Sequence, residues 1–267
     1  KIWRSEQFVP LEQGEKVAAV VRKFMGNLWP SDTGAQRALQ DSIRHLSGAF
    51  RPEDDKDLIE LRVPFSMVVK DSIRAIAVDE TGKLWLGTTN GLIRWDGKAW
   101  KVWRDSSAWL PSDRITSLAT SGAGVWIGTE KGLVRLKQKA NDFEFRRFGE
   151  SFGLGSQSVT SLITDEKTRT LWVGTLGGIS RLEVTAQAST WKPWTKVDGL
   201  LSDTTLAVTL DPDGEVWAAQ PQGVVHWDGK AWERLMFQAV NVNSIAVDKS
   251  RNVWIGSDKG VWKYYPR

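Results

Sequence analysis

The chain has no cysteine among its 267 residues, which excludes disulfides and thiolate metal sites and leaves the redox compartment open. Histidine is nearly missing too, with only His45 and His226, so an imidazole-built metal or acid–base centre has little to draw on. No apolar run approaches the ~18–20 residues of a membrane span, and residues 1–20 lack the apolar stretch of a secretory signal. Because the first residue is Lys1, processing from a longer precursor is an open expectation. A charge excess is also wanting: 36 Lys plus Arg face 32 Asp plus Glu, a net +4 that is dispersed. Nucleic-acid binding needs clustered cations, so it is not expected. The motif H-E-x-x-H and a phosphate-cradling glycine loop before a helix do not occur.

What is abundant is tryptophan, 16 residues, and much of it is periodic. KLWLGTTNGL, GVWIGTEKGL, TLWVGTLGGI, EVWAAQPQGV and NVWIGSDKGV repeat one pattern around the anchors Trp85, Trp126, Trp172, Trp217 and Trp254, spaced 41, 46, 45 and 37 residues apart. A period of ~40–45 is that of a four-stranded propeller blade. Six residues after each anchor stands a glycine: Gly91, Gly132, Gly178, Gly223 and Gly260.

Residues 73–103 read as four short strands: IRAIAV, LWLGT, GLIRW and KAWKVW. Asp-Gly in WDGKAW, at 95–100 and again at 227–232, predicts a two-residue hairpin turn with positive φ at both positions. The inner strands are apolar on both faces, as suits a sheet stacked between two others. Gly87, Gly128, Gly174 and Gly256, two residues after their anchors, would let a neighbouring backbone approach; Ala219 and Gln220 replace Gly-Thr in the fourth unit, marking it as divergent.

These units resemble the two-component regulator propeller repeat, with its pattern I-x-x-I-x-x-D-x-x-G-x-L-W-I-G-T-x-x-G-L-x-R. WLPSD, FGLGSQS and DGLLSD resemble its segments between blades. The resemblance covers about residues 57–267. It implies an all-β fold, a periplasmic or extracellular address, and the sensor domains of hybrid histidine kinases, whose ligands are of the oligosaccharide type. Kinase, receiver and membrane-spanning parts do not occur in this chain.

Residues 1–56 form a partly helical segment by pattern. Val17, Val20, Val21, Phe24, Met25 and Leu28 make an apolar helical stripe closed by Pro30, and a second helix is predicted from Gly34 to about Leu46. The propeller domain then spans 57–267. The last repeat lacks an outer strand, so residues 58–64 are expected to supply it, closing a five-bladed ring and removing an open edge. The alternative is six blades: residues 1–8 close the ring and 17–64 form a degenerate first blade.

Chemistry is scarce. Asp79, Asp165, Asp211 and Asp248 recur where the first strand ends, a position that Asp favours by accepting the following amides. His226 takes the third-strand place held elsewhere by Arg94, Arg135, Arg181 and Lys263, and reads as a surface variant of that cation. No catalytic, metal or cofactor-binding residue is assigned. Recognition is left, on the loops joining the second and third strands (Asn90, Glu130, Lys131, Gln222, Asp258, Lys259) and on the linkers between blades (Trp109, Arg114, Phe152, Gln157, Asp198). The expected role is a non-enzymatic scaffold or sensor module that takes a protein partner or an oligosaccharide-type ligand. A propeller lyase or hydrolase acting on a carbohydrate or lactone is the alternative.

Overall fold

A computed structural model describes residues 71–104, 109–122, 124–139, 142–184, 189–236 and 241–266. The two N-terminal helices and both closing strands expected from the sequence lie outside these residues. Five antiparallel sheets follow one another. The first comprises β1 (Ile73–Val78), β2 (Leu84–Thr88), β3 (Gly91–Trp95) and β4 (Trp100–Trp103); the second, β5 (Ile115–Ser121), β6 (Gly124–Thr129), β7 (Gly132–Lys139) and β8 (Asp142–Phe148). The third holds β9 (Val159–Asp165), β10 (Thr170–Thr175), β11 (Gly178–Val184) and β12 (Ser189–Trp194), and the fourth β13 (Ala207–Leu210), β14 (Val216–Gln220), β15 (Gly223–Trp227) and β16 (Trp232–Met236). The fifth has three strands, β17 (Val242–Val247), β18 (Val253–Ser257) and β19 (Gly260–Tyr264).

Consecutive sheets pack through their first strands, β1 on β5, β5 on β9, β9 on β13 and β13 on β17. Apolar clusters fill the spaces between successive sheets; the one between the third and fourth gathers Trp172, Trp194, Trp227 and Trp232 with Ile179 and Val225. The glycine two residues past the anchor makes this spacing possible. A Cβ on Gly87 would run into Ile115 of the next sheet, and one on Gly128 would meet Val159 at 2.6 Å. In the fourth unit Ala219 occupies that place and is itself fully buried.

The anchor motif has a cross-strand logic that single positions do not show. Each anchor indole pairs directly with the third-strand cation: Trp85 with Arg94, Trp126 with Arg135, Trp172 with Arg181, Trp217 with His226 and Trp254 with Lys263. The cation lies over the ring, at 4.9 Å for Arg135 and 4.8 Å for Lys263, an electrostatic attraction to the ring quadrupole. His226 therefore is not a surface variant. It is buried, stacks on Trp217 with centroids 4.1 Å apart, and sets Nε2 3.0 Å from Glu215 Oε2.

The recurring aspartates hold turns. Oδ1 of Asp79 accepts the amides of Thr81 and Lys83, Asp165 those of Lys167 and Thr168, Asp211 those of Asp213 and Glu215, and Asp248 those of Ser250 and Asn252. The free oxygen reaches back to the anchor where it can, as Trp85 and Trp254 donate Nε1–H to Asp79 and Asp248. In the divergent fourth unit Asp211 faces Arg251 at 3.5 Å instead, and the buried Trp217 Nε1 has no partner among the described residues. The side-chain bond from Asn252 leads in holding the Asp248 carboxyl down to about 2, against desolvation. A carboxyl lowered on folding stabilises above its unfolded value, near pH 4, and loses that contribution as pH falls through about 2. An acid titration followed by Trp254 fluorescence should show a local transition in that window, absent in Asp248→Asn.

Two expectations need correction. The WDGKAW connection is not a two-residue turn, since Trp95 pairs with Trp100 and four residues lie between them. Only Gly97 there has positive φ, while Asp96 accepts the amides of Lys98 and Ala99. Nor are all inner strands covered on both faces. Within strands, the large apolar side chains left exposed among the described residues belong to the first and last sheets: Ile73, Ile76, Val78, Trp254, Val261 and Trp262.

Candidate binding face

Antiparallel alternation puts the β2–β3 type of turn and the linkers between sheets at one end, and the remaining turns at the other. Every sequence-predicted binding residue falls on the first end. Its turns are locked by a side chain two residues into the G-T pattern. Thr88, Thr129, Thr175 and Ser257 each accept an amide two residues on and donate their hydroxyl to the carbonyl three residues on, Thr175 at 3.1 and 3.0 Å. Gln220 takes over in the fourth unit, accepting the amides of Leu201 and Ser202 and donating to Ser202 O and Thr205 Oγ1. Replacing Thr175 with valine removes one hydrogen bond from the part-buried Gly177 amide and one from the Gly178 carbonyl, and urea unfolding should report a loss of about 1–3 kcal/mol.

On this fixed frame some predicted residues are engaged. Arg114 Nε donates to Glu130 Oε1 at 2.7 Å across a linker and a turn. Trp109 stacks on Phe145 at 4.0 Å, and Arg147 donates to its carbonyl, so this indole fixes the linker to β8. Asp198 closes a capping box with Thr195 over the short 3-10 turn Lys196–Asp198. Asp258 accepts from Asn241 Nδ2, and the Asn90 carbonyl accepts from Arg104. Gln157 offers its backbone amide to Glu150.

Others present their side chains to solvent: Lys131, Gln157, Gln222 and Lys259 are exposed, and Phe152 is about half exposed against the edge of Phe148. Towards the axis, hydroxyls tie the first strands sideways. Thr164 donates to Thr120 O at 2.8 Å, Thr160 to Thr205 O at 2.6 Å, and Ser161 accepts from Val208 N. No group of three or more His, Asp or Glu side chains able to hold a metal ion occurs among the described residues. No helix among them is long and apolar enough to cross a membrane.

The sequence reading missed the stack of cation on indole, although its signal, a recurring Arg, Lys or His nine residues after each anchor, was there. It also missed Glu130 as the partner of Arg114, since nothing in the spacing brings linker and turn together.

A search of the curated proteins finds no match to this chain. Among solved structures it is similar to an extracellular domain assigned to the hybrid two component system BT3049 of B. thetaiotaomicron, at 22% identity and a TM-score of 0.65 over 77% of this chain and 30% of that one. A second such domain, of BT4673 from the same organism, aligns at 20% identity and 0.64, covering 79% and 32%. The chain thus spans about a third of the length of these two structures. Virginiamycin B lyase of Staphylococcus aureus, in a catalytically inactive form with quinupristin, aligns at 13% identity and 0.53, over 73% and 70%. Likenesses at such identities establish the propeller-type fold. Residues 69–90 match the family model of the two component regulator propeller, the repeat that the sequence units resemble.

Proposed function

We propose that this chain is a non-enzymatic extracytoplasmic binding module that holds a protein partner or an oligosaccharide-type ligand on its turn-and-linker end. One observation carries the reading: hydroxyl and amide side chains fix the backbone of that end, while Lys131, Gln157, Gln222 and Lys259 stand exposed on it. Rigid turns that present variable polar side chains suit recognition, because little ordering cost is left for binding. The likeness to extracellular two component domains supports the address and the sensor or scaffold role. The likeness to a lyase reaches the fold alone, and first strands lined by Ser and Thr favour binding over turnover.

The same proposal includes the division into residues 1–56 and 57–267.

The test is mild affinity isolation of the native protein, with thermal-shift screening of neutral oligosaccharides, repeated on the variant Lys131→Glu/Gln222→Ala/Lys259→Glu. A stoichiometric partner or a stabilising ligand, lost with the variant, is expected. Binding that the variant leaves intact would move the site elsewhere.

A further inference from the structure

At the opposite end a cleft of about 480 Å³ opens between the first and second sheets, lined by Lys83, Arg94, Asp96, Lys98, Lys101 and Phe143. Four cations surround one carboxylate, and that carboxylate is already occupied. Asp96 accepts the amides of Ala99 at 2.8 Å and Lys98 at 3.0 Å. Those two bonds first, and then the charges of Arg94 and Lys83, hold its carboxyl below the usual range.

Arg94 adds a separate observation. It is only 8% exposed, makes no ion pair among the described residues, and its Nε has no acceptor. Its guanidinium is held 5.4 Å from the ring centres of both Trp85 and Phe143. Ring faces offset part of the cost of burying this charge, but they do not satisfy its N–H groups as an oxyanion does. Lys101 is set likewise, 4.8 Å over Phe143, and Lys83 donates to Gln138 Oε1 at 3.0 Å. The equivalent cleft between the third and fourth sheets is lined by Asp165, Glu183, Asp213, Glu215 and Asp228 around Arg181. The excess of cations is therefore not shared by every cleft of the repeat, although Arg135, Lys137 and Arg169 line the one between the second and third sheets beside Glu166.

We propose that this cleft binds a small ligand carrying two or more oxyanion groups, with Arg94 as the inner, oriented donor and Lys83, Lys98 and Lys101 as the outer cations. Its volume falls in the ordinary range for small-molecule sites, and it lies at the other end of the strands from the turn-and-linker face. Failure of either proposal leaves the other standing.

The experiment is isothermal titration of the full chain with pyrophosphate, with citrate, and with neutral glycerol, at one fixed ionic strength. Pyrophosphate or citrate should bind and glycerol should not; binding of one anion alone would assign the ligand to the phosphate or the carboxylate class. The charge reversals Lys98→Glu/Lys101→Glu, at exposed positions, should weaken binding about tenfold or more, with Lys196→Glu, exposed on the linker between the third and fourth sheets, neutral. Should the double variant unfold at a lower temperature, Lys98→Gln alone, with about a two- to fourfold loss, serves in its place. No binding by either anion, or affinities unchanged in these variants, would overturn the proposal.

Discussion

Gly178→Ala is expected to destabilise the chain by about 3–5 kcal/mol, whereas Gly260→Ala should cost about 1–2 kcal/mol. The two glycines hold the same place in the repeat and nearly the same backbone, φ +117° and +115°. Both substitutions therefore force a Cβ into the left-handed region, a strain of about 1–2 kcal/mol. They differ in what the Cβ meets. At Gly178 it would collide with the carbonyl of Trp194, the last residue of the outer strand, and at Gly260 it would meet nothing within 4 Å among the described residues. Backbone cannot swing aside as a side chain can, so β12 would have to shift against the four-tryptophan cluster. Urea midpoints of the two variants measure the difference directly. Equal losses would mean that φ alone explains the glycine, and that the outer strand's close approach has no part in it.

Trp172→Ala should cost about 3–5 kcal/mol and Trp254→Ala only about 1–2 kcal/mol. Trp172 is buried and lies stacked on Trp194 at 5.5 Å, edge-on to Trp232 at 6.1 Å, with Trp227 completing the group. Removing its indole leaves a cavity walled by rings that cannot collapse, and a loss of that size is a large part of a typical domain's ~5–15 kcal/mol. Trp254 occupies the same motif position but is 38% exposed. Its main partners are Asp248 and the Lys263 ammonium, and interactions of that kind contribute modestly at a wet surface. Similar losses at both sites would show that the fifth sheet is covered as fully as the third.

The sequence carries the period, the four-strand order and the close approach at Gly87 and Gly128, because these depend on local patterns: an Asp that caps a turn, alternating strand faces, a missing side chain. The divergence of the fourth unit is equally visible, and its Gln220 bonds differently from the Thr it replaces: the longer side chain reaches Leu201 and Ser202 of the linker in place of its own turn. Less can be read where two segments far apart in sequence must meet. Trp109 looks like a free stacking platform until Phe145 is found 4.0 Å away, and Arg114 and Glu130 look like separate recognition residues until their ion pair is seen. His226 looks like an exposed substitute until the register places it flat on Trp217. In each case the spacing fixes which strand or turn a residue occupies, while packing between strands decides whether its side chain is free.

Hydrogen exchange of the chain, with and without its captured ligand or partner, tests the binding reading most directly. Amides at Asn90–Gly91, Lys131–Gly132, Gln222–Gly223 and Lys259–Gly260 should slow on binding, with the Asp79–Lys83 and Asp248–Asn252 turns unchanged and no product formed. Slowing confined to those opposite turns, or release of a chemically altered ligand, would contradict a binding face built on the turns and linkers.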